Sequence, residues 1–161
     1  MPCPPVRDLI GADNVDAAYA VQQQLTRARI EAGARVVGRK IGLTSPAVRR
    51  QLGVDQPDFG VLFDDMDVSA LAEVPMHTLL QPKVEAEIAF VLSDDLSAGD
   101  LTADQVRGAV AYAVAALEIV DSRIAGWDIT IADTIADNAS SGLFVLGPRL
   151  VPLPTSTRPW R

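Results

Sequence analysis

The 161-residue chain has one cysteine, one histidine and no run of eighteen apolar residues, and each scarcity removes a class of function. Cys3 alone cannot form an internal disulfide, and it leaves no zinc site built on thiolates. His77, the sole histidine, stands in an irregular stretch after Met76, and no role is assigned to it. No basic segment followed by an apolar core opens the chain, so neither a signal peptide nor a membrane span is expected. The expected location is a reducing cytoplasm. Basic residues are the minority, 14 Lys and Arg against 21 Asp and Glu, for a formal net charge of −7. Nucleic acid and anionic membranes reward clustered Lys and Arg, so both are excluded as expected partners. With 48% hydrophobic and 22% charged residues, what remains is the composition of one globular domain with a core of its own.

Periodicity divides the chain into alternating element types. From Asp13 to Ala32, Ala18, Val21, Leu25, Ala28 and Ala32 recur at three- and four-residue steps, which predicts a helix capped by Asp13 and stopped at Gly33. Arg35 to Thr44 (RVVGRKIGLT) predicts a strand whose two glycines mark a bulge or a close backbone approach. Ser45 and Pro46 open a short helix that ends at Gly53. Gln56 to Gly60 (QPDFG) predicts a turn, with VLFDDMDV a short strand after it. Thr102 and Gln105 form a capping box, and Val106, Val110 and Val114 extend the helix behind it. Ala115 to Val120 predicts a buried strand, ITIADTIADNASS fits helix and strand alike, and GLFVLG predicts a strand. PRLVPLPTSTRPWR, residues 148–161, has four prolines and no periodicity and is expected to be a tail behind a single domain at 1–147.

The stretch Pro82 to Leu92, PKVEAEIAFVL, carries an electrostatic anomaly. Side chains two apart in a strand point to one face, so Glu85 and Glu87 project together. Two close carboxylates repel, and a hard divalent cation with oxygen ligands relieves that. A solvated sheet face is the simpler alternative for this segment alone. Glu118, an acid inside the apolar VAALEIV, is harder to place on a solvated face and needs a partner if buried. Three such carboxylates form a facial ligand set with open positions. Lys40 in GRKIG does not fit a phosphate loop, because no Gly-Lys-Ser/Thr follows, and by itself it reads as a strand-edge lysine. Asp58 by itself reads as a turn former and Ser140 as a turn hydroxyl.

Together, VVGRKIGLTSPAVRRQLGVDQPDFGVLF, QPKVEAEIAFVL and ALEIVDSRIAGWDITIADTIADNASSGLFVLG resemble successive motifs of the 2-keto-4-pentenoate hydratase and 4-oxalocrotonate decarboxylase family of the fumarylacetoacetate hydrolase superfamily. The resemblance runs from about Pro5 to Gly147. It implies an α+β fold, a partial mixed β-roll with flanking helices, because family members continue after FVLG with further strands and a helix. It implies Mg²⁺ or Mn²⁺ held by Glu85, Glu87 and Glu118, and a site lined by Lys40, Asp58 and Ser140. The implied reaction is addition of water to 2-hydroxypenta-2,4-dienoate, giving 4-hydroxy-2-oxopentanoate, as in the meta-cleavage catabolism of aromatic compounds. The alternative is decarboxylation of a 2-oxo-3-enedioate. An alternative of another class is an inactive remnant or an interaction module that pairs with a full-length relative. Strands left without neighbours favour a homo-oligomer or association with a related chain.

Overall fold

The computed structural model describes residues 1–153, apart from the side chains of Val48, Gln51 and Leu52. Its helices are α1 (Arg7–Ile10), α2 (Val15–Glu31), α3 (Pro46–Leu52), α4 (Ala103–Ala109) and α5 (Ile131–Ala136). Its strands are β1 (Val36–Gly42), β2 (Asp58–Phe63), β3 (Pro82–Leu92), β4 (Val110–Asp121) and β5 (Ser141–Leu146). Among the described residues two separate sheets result, β1-β2 and β3-β4-β5, both antiparallel, with parallel pairing confined to the isolated bridges Cys3 to Ile124 and Asp67 to Phe144. The fold class is α+β. No helix of the described residues is long and apolar enough to cross a membrane.

Local chemistry sets several boundaries. The side chain of Asn14, not Asp13, caps α2 by accepting the Ala17 N–H, and the chain leaves the helix through Gly33 at φ 103°. Gly53, at φ 69°, ends α3 in the left-handed region that glycine occupies without strain. The Thr102–Gln105 capping box forms, yet α4 stops at Ala109. Val110 and Val114 belong to β4, where the pairing offered by β3 outweighs their helical spacing. Asp58, Phe59 and Gly60 likewise lie in β2 rather than in a turn, because β1 pairs with them residue by residue: Gly42 with Asp58, Ile41 with Phe59, Lys40 with Gly60. A register shift between Val36 and Gly38 supplies the bulge expected of the glycine-bearing strand.

The core has two centres. Ala18 on α2 packs with Ala132, Ile135 and Ala136 on α5, small side chains that let the helices approach closely. Val61 and Phe63 of β2 pack with Met66 and with Phe144 of β5, joining the two sheets. Gln22, buried on α2, donates to the carbonyls of Phe59 and Ile135 and ties the helix to β2 and α5. Asp133, fully buried, accepts from the Val6, Arg7 and Thr130 amides and from the Arg7 guanidinium, which anchors the N-terminal segment on α5. The lower part of the apolar stripe on α2 is open: Leu25 is exposed and borders a cavity of about 1170 Å³ that also reaches Phe63, Leu79 and Leu143. Residues 148–153 form no strand, but Val151 exchanges two backbone hydrogen bonds with Ala113 of β4. The remainder of the expected tail, residues 154–161, lies outside the described residues.

Candidate metal and acid–base site

Strand register brings the three acidic residues together. Glu85 of β3 stands directly opposite Glu118 of β4, and Glu87 follows two residues along on the same face. One carboxylate oxygen from each lies within 4.8 Å of the others. Glu85 and Glu87 are exposed, whereas Glu118 is 8% exposed. Burial pushes the Glu118 carboxyl above its ordinary range, the Lys40 ammonium opposes that shift, and Glu85 and Glu87 add to it. The Lys40 Nζ lies 3.3 Å from Glu118 Oε1 at ion-pair distance, without the alignment of a hydrogen bond. Glu118 Oε1 is therefore a buried acceptor whose hydrogen-bonding capacity is unfilled. Three hard oxygen donors that converge, one of them buried and unsatisfied, fit a divalent cation of the Mg²⁺ or Mn²⁺ kind.

A second group lies behind Lys40. Its ammonium also donates to the Ala139 carbonyl at 3.0 Å, and the side chain is almost enclosed. Asp58, 3% exposed, faces the same region from β2: a Cβ added to Gly42 would fall 2.1 Å from Asp58 Oδ1 and 3.3 Å from Lys40 Nζ. Gly42 thus leaves the space that the carboxylate occupies. Burial raises the proton affinity of Asp58, and Lys40 partly offsets it. Among the described residues Asp58 Oδ1 has no hydrogen-bond partner, while Oδ2 accepts a long 3.5 Å bond from Thr134 Oγ1. Thr134 Oγ1 in turn lies 3.2 Å from Ser140 Oγ, so a line of hydroxyls connects the buried carboxylate to Ser140.

The turn that delivers Ser140 is strained. Asn138, Ala139 and Ser140 all hold positive φ, at 55°, 53° and 54°, where side-chain-bearing residues are uncommon. The Asn138 side chain holds the turn against β2, accepting the Val61 N–H at 2.7 Å and donating to the Val61 carbonyl at 2.9 Å. Gly60 permits the approach, since a Cβ there would come within 2.6 Å of the Asn138 carbonyl oxygen. The result points the Ala139 carbonyl at Lys40 and the Ser140 hydroxyl at Thr134. Thr134, Asn138 and the Ala139 carbonyl are site elements that sequence reasoning missed. Thr134 and Asn138 fall in ITIADTIADNASS, whose periodicity is ambiguous, and a backbone carbonyl leaves no trace in residue identity. His77 lies on an exposed 3₁₀ turn and joins none of these groups.

No known family model matches the chain. Individual proteins do. It is 59% identical over 143 residues to the TodF product hydratase of Pseudomonas putida strain F1, covering 89% of this chain and 53% of that protein. It is 58% identical over 146 residues to the 2-keto-4-pentenoate hydratase of Paraburkholderia xenovorans LB400, covering 91% and 54%. In structure it is similar to the 4-oxalocrotonate decarboxylase of Pseudomonas putida G7 complexed with magnesium and adipate, with a TM-score of 0.83 at 31% identity, over 94% of this chain and 58% of that one. The same decarboxylase complexed with calcium and acetate gives a TM-score of 0.84 at 32% identity, over 94% and 57%. The chain spans about half the length of the relatives it matches. On these grounds the chain is similar, over nearly all of its own length, to about half of each of these hydratases and of the decarboxylase.

Proposed function

We propose that this chain carries the metal and acid–base groups of a hydro-lyase that adds water to 2-hydroxypenta-2,4-dienoate to give 4-hydroxy-2-oxopentanoate. The observation that supports this reading is the convergence of Glu85, Glu87 and Glu118 beside Lys40, with Asp58 and Ser140 buried behind it. The hydratase names of the relatives at 58–59% identity support this substrate class. Glu85, Glu87 and Glu118 would hold the proposed Mg²⁺ or Mn²⁺, which would supply Lewis acidity toward a 2-oxo acid.

The remaining chemistry belongs to protons. Ketonisation moves the proton of the 2-hydroxyl to C5, leaving a 2-oxo-3-enoate; the water oxygen then bonds C4, and a water proton reaches C3. Both stages need a donor and an acceptor within reach of a mostly dry site. Lys40 and Asp58 are the proposed pair. The Lys40 ammonium is held between Glu118 and the Ala139 carbonyl, where it also stabilises negative charge that develops on the substrate. Asp58, with its raised proton affinity and one free oxygen, is suited to take a proton and release it again. Ser140 orients water or substrate through its hydroxyl.

Loss of the dienoate's ultraviolet absorbance with added Mn²⁺ measures turnover, and calorimetric titration measures Mn²⁺ affinity. Glu118→Gln is expected to lose both, and Ser140→Ala to keep Mn²⁺ affinity while losing at least tenfold in turnover. Unchanged Mn²⁺ affinity and turnover in Glu118→Gln would sink the assignment. The structural likeness to a decarboxylase favours one alternative, release of carbon dioxide from 2-oxohex-3-enedioate by the same groups. Assaying both substrates side by side separates the two.

A further inference from the structure

Two buried carboxylates on neighbouring elements are served very differently. Asp133 of α5 accepts from the Val6, Arg7 and Thr130 amides and from the Arg7 guanidinium, as an anchoring acid should. Asp58 of β2 is buried too, at 3% exposure, yet among the described residues its side chain accepts a hydrogen bond from Thr134 Oγ1 alone. Lys40 offers it charge without a hydrogen bond. A buried carboxylate so sparsely paired costs stability, which an anchoring role leaves unexplained. With almost no surface of its own, Asp58 can exchange protons with a substrate only through its neighbours. Thr134, itself buried, is the neighbour that leads outward, because its hydroxyl also meets Ser140 Oγ at 3.2 Å.

A hydroxyl has one proton to give, and that fixes the direction of the line. An ionised carboxylate only accepts, so Thr134 donates to Asp58 Oδ2 and must itself accept from Ser140. Ser140 Oγ then meets any further partner with a lone pair, ready to accept a proton from water. Ser140 also directly follows Ala139, whose carbonyl holds the Lys40 ammonium that pairs with Glu118. We propose that Thr134 is a positioning residue through which Asp58 draws a proton from the attacking water by way of Ser140, an inference that rests on the hydratase reading. As the water oxygen bonds C4 of the 2-oxo-3-enoate, the C3–C4 π electrons shift toward the 2-oxo oxygen and one water O–H bond breaks. That proton joins Ser140 Oγ, the Ser140 proton passes to Thr134 Oγ1, and the Thr134 proton passes to Asp58 Oδ2. The reverse transfers deliver a proton to C3 as the enolate electrons return there, which restores both hydroxyls and the carboxylate. The separations of 3.2 and 3.5 Å are long for transfer, and catalytic hydrogen bonds of this kind tighten once substrate binds.

Thr134→Val keeps the shape of the side chain and removes its hydroxyl, and Thr134→Ser returns the hydroxyl. The first measurement needs no turnover: denaturant unfolding of the metal-free chain in a double-mutant cycle of Asp58→Asn and Ser140→Ala. These two side chains share no direct hydrogen bond, so coupling between them, expected to shift the combined unfolding constant about threefold from additivity, runs through Thr134. The coupling is expected to vanish in Thr134→Val and to return in Thr134→Ser. Its absence in the unsubstituted chain, or its persistence in Thr134→Val, overturns the inference. The second measurement is dienoate hydration with added Mn²⁺, in which Thr134→Val is expected to lower kcat about tenfold or more with KM little changed, and Thr134→Ser to recover most of the loss. Full kcat in Thr134→Val overturns the relay. Coupling absent while the unsubstituted chain turns over dienoate defeats this inference alone; coupling present with no turnover defeats the hydratase reading and the proton transfer with it.

Discussion

The two halves of the candidate site are built in opposite ways. Lys40, Asp58, Thr134 and Ser140 sit in an interior held by the β1-β2 pairing, the α5 helix and a strained turn, and all but Lys40 fall below 10% exposure. Glu85 and Glu87 stand in the open on an edge strand whose other face is bare. The difference teaches where order comes from. In the buried half, geometry is fixed by backbone partners that the chain itself supplies. In the open half, one neighbouring strand fixes the register and nothing among the described residues covers the side chains.

Removing the clamp of the buried half gives the largest expected effect. Asn138→Ala strips the Val61 N–H and carbonyl of their partners and keeps a positive φ that alanine tolerates poorly. A loss of about 2 to 4 kcal/mol in denaturant unfolding is expected, because each unpaired buried group costs about 1 to 3 kcal/mol. An equal loss in Asn138→Asp would show that the amide donor to the Val61 carbonyl carries most of it.

A smaller effect sharpens the same contrast through pH. The folded Asp58 carboxyl binds its proton more tightly than the ordinary value of 3.8, so the folded state holds more protons than the unfolded one between the two values. In the metal-free protein Asp58 therefore contributes stability that is present at low pH and is lost as pH rises through its folded value. Asp58→Asn should flatten that part of the stability curve, which unfolding at a series of pH values measures. A slope identical to that of the unsubstituted chain would remove Asp58 from the account.

The open half should respond least in stability. Glu87→Gln removes one of two neighbouring exposed like charges and is expected to change unfolding free energy by no more than about 0.5 kcal/mol. Mn²⁺ affinity should nevertheless fall at least tenfold, a split between stability and binding that no buried-half substitution reproduces.

These two halves also differed in how legible they were. β3 is bounded in the structure by Pro82 and Leu92, as alternation predicts, because an edge strand depends on its own pattern and one partner. The opposition of Glu85 and Glu118 required knowing the pairing, which sequence alone suggests only through the resemblance. Asp58 reads as a turn residue because Pro57 and Gly60 are strong local signals; its strand is created by β1, fifteen or more residues earlier. Val110 and Val114 read as helix for the same reason, a local period overridden by a distant strand. The left-handed turn at residues 138–140 contains no glycine, and Asn138, a residue that tolerates positive φ, is the sole compositional signal for it.

The cross-strand match of Glu85 with Glu118 carries one more consequence. Slipping β3 by a single residue would turn Glu85 and Glu87 to the far side and swing Val84, Ala86 and Ile88 toward Lys40. Hydrophobic alternation by itself penalises that slip weakly here, because the apolar side of β3 is uncovered and loses little by changing places. With the proposed ion held by the carboxylate trio, ion binding and correct strand alignment would be one measurement, and a titration with Mn²⁺ would count the molecules whose strands have closed in step.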